Sequence, residues 1–113
     1  MIKSLSLLTR RAELSHEEFV RHWLEIHAPL AHAVPGIRRY VQNHIQGERH
    51  RADIATTEVA VDGVAELWFD DQAAMDRANA SPEAKRLHDD GALFIGGIKT
   101  FIIDERVIIP ISG

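Results

Sequence analysis

The stretch "LSHEEFVRHWLEIHAPLAHAVPG", residues 14–36, decides the fold because it predicts one amphipathic helix with both ends marked. Ser15 followed three residues later by Glu18 is a capping box, and the apolar residues that flank this pair form the hydrophobic staple that accompanies it. The Pro-Gly pair at 35–36 stops a helix. The sequence therefore predicts a helix over residues 16–33.

This helix has an apolar face that contains a histidine. His27 lies on that face, two residues before Pro29. Because Pro29 has no N–H to donate to the carbonyl of Glu25, we expect the helix to loosen beside His27. Imidazole exchanges protons near neutral pH, so His27 is a candidate general acid and base, the alternative being a core histidine with a structural role. The apolar residues recur at three- and four-residue spacing: Phe19, Val20, Trp23, Ile26, Leu30 and Val34.

Alternating or β-branched segments around the first helix predict four strands and two further helices. The strands are expected at 2–9, 37–45, 63–70 and 98–109, and the helices at 72–80 and 82–90, with Gly91 as the stop. Residues 47–62 are polar and predict a loop. The order β-α-β-β-α-β is that of the α+β ferredoxin-like fold, expected as a single domain over 1–113. A sheet covered on one face leaves the other bare, so we expect a homodimer in which two sheets pack face to face.

Two predicted strands supply polar groups for a site near His27. Tyr40 and His44 share one face of the second strand, and Glu66 and Trp68 share one face of the third. If both faces look toward the helix, they form with His27 a cleft that has a few polar groups in apolar surroundings, the usual form of a small-molecule site. If they look toward a dimer partner, the cluster is an interface instead. A packing or ion-pair role is the structural alternative for each of these side chains.

Composition excludes several classes of function. The chain has no cysteine, which excludes disulfides and thiol catalysis. Its formal charge of −4 argues against a nucleic-acid partner. The absence of a long apolar run and of a signal-peptide pattern predicts no membrane partner and a cytoplasmic protein.

The histidines of the first helix do not predict a metal site. They are spaced by six, five and five residues, so none forms an i, i+4 pair. His22 belongs to a polar stripe that is expected to face solvent. No phosphate-binding loop is present either, so we expect neither a metal nor another cofactor.

Several blocks of the chain resemble the EthD family. They are "EEFVRHWLEIHAPLAHAVPGIRRYVQNHI" (17–45), "GVAELWFDD" (63–71), "SPE" (81–83) and "FIGGIKTFIIDE" (94–105). The resemblance implies a dimeric α+β barrel built from ferredoxin-like protomers. It extends to 4-methylmuconolactone methylisomerase, a related enzyme, and implies cofactor-free acid–base chemistry on phenols, lactones or polyketones.

The same resemblance assigns roles to individual residues. It places the helix histidine on His27, the strand tyrosine on Tyr40, and the acid and aromatic of "ELWF" on Glu66 and Trp68. His44 belongs to the EthD-type "QNH" block and has no counterpart in the methylisomerase pattern.

Taken together, the residues and the resemblance predict a protein that binds a small aromatic, lactone or polyketide-like compound. His27 is expected to be the general acid and base, and Tyr40 and His44 to orient the substrate or stabilise an enolate oxygen. The reaction would be an isomerisation, cyclisation, dehydration or decarboxylation. Two alternatives are a non-catalytic binding protein that serves a degradation pathway such as ether catabolism and a haem-handling protein. The expected substrate contacts are Glu66, Trp68, Trp23 and Phe94.

Overall fold

The structure of the protein is a computed structural model that describes residues 1–112. Four strands form one antiparallel sheet in the order β2-β3-β1-β4, with the helices on one of its faces. This topology confirms the predicted ferredoxin-like α+β fold. The elements are β1 (Ile2–Arg10), α1 (His16–His22), a π-helical segment π1 (Trp23–His27), α2 (Ala28–Ala31), β2 (Arg39–His44), β3 (Gly63–Phe69), α3 (Gln72–Asn79), α4 (Pro82–Phe94) and β4 (Ile95–Ile103).

The predicted capping box starts α1. The Ser15 hydroxyl accepts a hydrogen bond from the backbone N–H of Glu18 at 3.1 Å. The Glu18 carboxylate accepts in return from the backbone N–H of Ser15 at 2.9 Å. Two of the unpaired N–H groups at the helix end are satisfied in this way, so the start of the helix is fixed by local interactions alone.

The first helix loosens in front of Pro29, as the sequence predicts. In π1 the backbone N–H of Ala28 donates to the carbonyl of Trp23, five residues back, so this turn holds one residue more than an α-helical turn. The wider turn changes which side chains face the sheet. Ile26, which the regular spacing places on the buried face, is 54% exposed, so that prediction is wrong.

The C-terminal elements differ from the prediction. Helix α4 does not stop at Gly91 but runs on to Phe94. Gly91 is buried within α4 and faces His27, and a Cβ atom there would lie 3.6 Å from Cε1 of His27, an ordinary contact. Strand β4 ends at Ile103, six residues earlier than expected, and residues 104–112 form no strand. None of the helices within residues 1–112 has the length and apolarity to cross a membrane.

Two apolar clusters hold the helices on the sheet. The first contains Val34, Phe69 and Met75, joined by small and aliphatic residues of α2, α3 and α4. The second is largely aromatic, and Tyr40 packs against both clusters. Burying a large apolar side chain stabilises a fold by about 1.5–3 kcal/mol. The members of the second cluster are Leu8, Phe19, Trp23, Ala65 and Phe94.

Candidate active site

A cleft of about 630 Å³ lies between the helices and the covered face of the sheet. Its lining is mostly aliphatic, and its ionisable side chains are His27, Tyr40 and His88. Ser6 and Thr100, which are hydrogen-bonded to each other at 2.8 Å, add hydroxyl groups from the sheet. No lysine or arginine of residues 1–112 lines the cleft. The site therefore suits an uncharged molecule with few polar atoms.

His27 is held in one tautomer at the edge of this cleft. Its Nδ1 lies 2.9 Å from Oδ2 of Asp90 on α4. A carboxylate can only accept, so Nδ1 carries the hydrogen, and the acceptor Nε2 is left without a partner among the described residues. Burial lowers the pKa of His27 below its usual value, and the bond to Asp90 offsets only part of that effect. The resting imidazole is therefore neutral near pH 7, as a general base must be.

Asp90 also binds a second histidine. Nε2 of His22 lies 3.0 Å and 3.1 Å from the two carboxylate oxygens of Asp90. Both imidazoles rest on the buried ring of Phe94, with centroid separations of 4.5 Å for His22 and 5.0 Å for His27. The expectation that His22 faces solvent is wrong, because the π-helical turn brings residues five apart to the same side of the helix. Within residues 1–112, no three histidine or acidic side chains are placed to hold a metal ion.

Tyr40 reaches the cleft from β2 with its hydroxyl already oriented. The amide of Gln42 donates to the Tyr40 hydroxyl at 2.8 Å and to the Trp23 carbonyl at 2.9 Å. Burial raises the pKa of Tyr40, so the phenol stays protonated. Because its oxygen already accepts one bond, the hydroxyl hydrogen remains for a ligand oxygen. Trp23 is 1% exposed and forms part of the cleft wall.

Two predicted site residues, His44 and Phe94, lie on the same side of the sheet as the helices but do not line the cleft. His44 is stacked on the indole of Trp23 at 4.8 Å and lines a second groove, between α2 and the edge strand β2. Its expected place beside His27 is wrong, because Trp23 occupies the space on its cleft side. Phe94 is fully buried beneath the two histidines, so it supports them instead of forming a wall.

Glu66 and Trp68 lie on the opposite face of the sheet, so their predicted place in the cleft is wrong. The pairing of β2 with β3 sets Tyr40 opposite Leu67, which puts Leu67 in the cleft and turns its neighbours outward. Glu66 forms a 2.7 Å ion pair with Lys3 there. The Trp68 indole donates to Glu105 at 3.1 Å.

Asp90 is the site residue that the sequence does not reveal. It stands in the acidic segment "HDDG" on a helix, where solvated carboxylates are ordinary. Its contact with His27 spans 63 residues of chain, so no local spacing indicates it. The glycine that follows Asp90 gives no signal of this contact either, because in the sequence it predicts a helix stop.

The fold and the cleft define the class: an α+β protein of ferredoxin-like fold with a cleft between its helices and its sheet. The EthD domain family matches residues 11–97, which is most of the chain, and the protein therefore belongs to the EthD family. This membership confirms the resemblance seen in the sequence.

Some known proteins are similar to this chain in sequence, and others in fold alone. The chain is 27% identical over 108 residues to 4-carboxymethyl-4-methylbutenolide mutase of Pseudomonas reinekei, covering 95% of this chain and 100% of that one. An EthD family protein of Bacillus halodurans superposes with a TM-score of 0.73 at 25% identity, over 94% of this chain and 100% of that one. A dimeric ferredoxin-like protein of Thermobifida fusca gives a TM-score of 0.67 at 13% identity, over 90% and 88% of the two chains, and shares the fold alone.

Proposed function

We propose that this protein binds a small uncharged molecule with a carbonyl or phenol oxygen and isomerises it by cofactor-independent acid–base chemistry. The observation that carries the proposal is the His27–Asp90 pair: His27 lines an apolar cleft, its Nδ1 is bonded to Asp90, and its Nε2 has no partner among the described residues. The likeness to 4-carboxymethyl-4-methylbutenolide mutase supports an isomerase among the reactions expected and a lactone among the substrates. The carboxymethyl group in that name is where the substrate proposed for this chain differs, because no lysine or arginine of residues 1–112 lines its cleft. Cyclisation and dehydration can begin with the same proton abstraction, whereas decarboxylation releases CO₂ from a carboxylate and uses only the final proton donation.

The arrangement supports a simple proton transfer. Nε2 of His27 takes a proton from a carbon next to the substrate carbonyl, and the electron pair of the broken C–H bond moves onto the carbonyl oxygen. The Tyr40 hydroxyl donates a hydrogen bond to that enolate oxygen. Asp90 stabilises the imidazolium through the Nδ1–H bond. The imidazolium then returns the proton to a different atom of the substrate, which completes an isomerisation.

The lining of the cleft limits the substrate. Apart from the ionisable groups, its polar atoms come mainly from the sheet hydroxyls, including the Ser6–Thr100 pair. A carboxylate seated deep in this cleft would lose its hydration without gaining a lysine or arginine. A neutral aromatic, lactone or polyketide-like compound fits this surface better.

The decisive test uses a panel of such compounds with the wild-type chain and its His27→Gln and Tyr40→Phe variants. Binding is followed by ligand-observed NMR, and turnover by product formation and by uptake of solvent deuterium. We expect His27→Gln to keep binding and to lose roughly 100-fold or more in turnover, the range of general acid–base catalysis. His50→Gln, in the exposed loop, is the matched control and should leave turnover unchanged.

The alternatives give different results in this experiment. Binding without product or deuterium uptake at any pH from 5 to 9 would favour the non-catalytic binding protein. Full turnover by a folded His27→Gln variant would remove His27 from the reaction.

We also propose that the protein is a homodimer formed through the uncovered face of the sheet. The β1 residues that alternate with the cleft-lining Ser4, Ser6 and Leu8 point to that face, among them Leu5 and Leu7. Phe101 of β4 is 42% exposed there. The Thermobifida fusca protein with this fold is described as dimeric, which supports the proposal.

Light scattering after gel filtration tests the dimer. We expect the wild-type chain to elute as a dimer and Phe101→Asp, which places a charge on the proposed interface, to shift it toward monomer. Asp53→Ala in the exposed loop is the control. A monomeric wild-type chain at 100 μM would refute the proposal.

A further inference from the structure

We propose that His22 is a positioning residue that competes with His27 for the Asp90 carboxylate and thereby weakens the support that Asp90 gives to His27. The inference rests on the proposed function, since it concerns the regulation of the same site. His22 would not touch the substrate. It would act on the reaction only through the charge and position of the carboxylate.

The contact geometry shows that the carboxylate is shared. Oδ2 of Asp90 lies 2.9 Å from Nδ1 of His27 and 3.1 Å from Nε2 of His22, and Oδ1 lies 3.0 Å from the same His22 nitrogen. Both imidazole nitrogens must carry hydrogens, because a carboxylate only accepts. The Asp90 side chain is 11% exposed, so water does little to compensate either bond. In such surroundings, strengthening one bond withdraws charge from the other.

The two histidines differ in their access to solvent. The His22 side chain is 22% exposed, against 12% for His27. His22 is also absent from the cleft lining, whereas His27 belongs to it. The carboxylate thus joins an imidazole that lines the cleft to one that lies outside the cleft and is somewhat more exposed.

Few other charged groups act on this pair. Asp90 and His88 reach His27 from α4, and His22 reaches it from α1. Tyr40 lines the same cleft from β2 as a neutral phenol. Asp90 is the carboxylate that bonds both imidazoles. Removing the charge of Asp90 should therefore lower the pKa of His27, whereas removing the second donor to Asp90, His22, should raise it.

The test is an NMR titration of ¹⁵N-labelled histidine in the full-length protein without substrate. We expect His22→Leu to raise the midpoint of the His27 titration by about 0.5, because Asp90 then bonds His27 alone. Asp90→Asn should lower the same midpoint, because the attraction of the carboxylate is lost. When Asp90→Asn is already present, adding His22→Leu should not raise the His27 midpoint, because His22 acts on His27 through the Asp90 carboxylate.

His22→Gln is the matched control because glutamine keeps an N–H donor for Asp90 without an imidazole. It should shift the His27 midpoint less than half as far as His22→Leu. The proposal would be overturned if His22→Gln and His22→Leu shifted the His27 midpoint equally. It would also be overturned if His22→Leu caused the same shift in the Asp90→Asn background, or if folded His22→Leu caused no shift. Circular dichroism establishes folding. Because no substrate is involved, these results are independent of whether His27 proves catalytic.

Discussion

The substitution Gly63→Ala tests how tightly the cleft wall is fixed to the sheet. Gly63 begins β3 and is paired with Leu8 on one side and His44 on the other. A Cβ atom at this position would lie 2.5 Å from Cζ3 and 2.8 Å from Cη2 of Trp23. Carbon atoms in contact normally stay about 3.5–4.0 Å apart. The indole would have to move by roughly 1 Å, away from the strand that supports it.

The cost follows from the packing around Trp23. The indole is 1% exposed, touches Phe19 and His44, and has no free space to enter except the cleft. Overpacking of this kind lowers the free energy of unfolding by about 1–3 kcal/mol, whereas the smaller conformational freedom of alanine in the unfolded chain raises it by about 0.4–1 kcal/mol. The net loss is about 1–2 kcal/mol. With an unfolding entropy of about 2.1 cal/mol/K for each of the 113 residues, Tm should fall by about 4–8 °C.

Differential scanning calorimetry measures this change, with Gly97→Ala as the control. Gly97 lies in β4, and the nearest atom to a Cβ there is Cβ of Thr9 at 3.6 Å, an ordinary contact. The control should lose less than about 0.5 kcal/mol. If the two variants melt at the same temperature, the close contact between Trp23 and Gly63 does not constrain the cleft wall, and the reasoning fails.

Two further predictions concern local interactions elsewhere in the fold. Ser15→Ala removes the helix cap and should cost about 1 kcal/mol in urea unfolding, whereas Ser15→Asp, which can still cap, should cost less. Burial would raise the pKa of Asp62, but hydrogen bonds from Arg10 and His16 outweigh it and lower that pKa. The hydrogen bonds to ionised Asp62 therefore stabilise the folded state at pH values above the unfolded pKa of about 3.9, and this stabilisation is lost as the pH falls through the lower pKa of the folded state. Urea unfolding should therefore show Asp62→Asn less stable than wild type at pH 7, with the difference disappearing toward pH 2; a constant difference would contradict the assignment.

The elements that the sequence predicts correctly are those that short-range chemistry determines. The capping box needs only Ser15 and Glu18, and the loosened turn needs only the missing N–H of Pro29. Both are present in the structure. The end of α4 differs from the prediction because a glycine inside a helix lowers its stability without necessarily ending it, and α4 continues past Gly91 to the buried Phe94.

The composition of the cleft was harder to predict because it depends on strand register. Alternation shows correctly that Tyr40 and His44 share a face of β2 and that Glu66 and Trp68 share a face of β3. It does not show which face of one strand meets which face of the next. A change of one residue in the pairing exchanges the two faces, and here Leu67, not Glu66, lies beside Tyr40.

The π-helical turn connects the fold to the proposed chemistry. In a regular α-helix, residues five apart are separated by about 140° around the axis, so His22 and His27 would face different surroundings. In this structure a turn with an i, i+5 hydrogen bond accompanies the contact of both imidazoles with Asp90, and Pro29 favours such a turn by removing the competing bond to Glu25. The same turn leaves Ile26 exposed, which gives up the burial of an apolar side chain. Packing alone would favour the regular helix, in which Ile26 is buried. The exposure of Ile26, next to His27, is therefore the kind of stability cost that a functional constraint on His27 would produce.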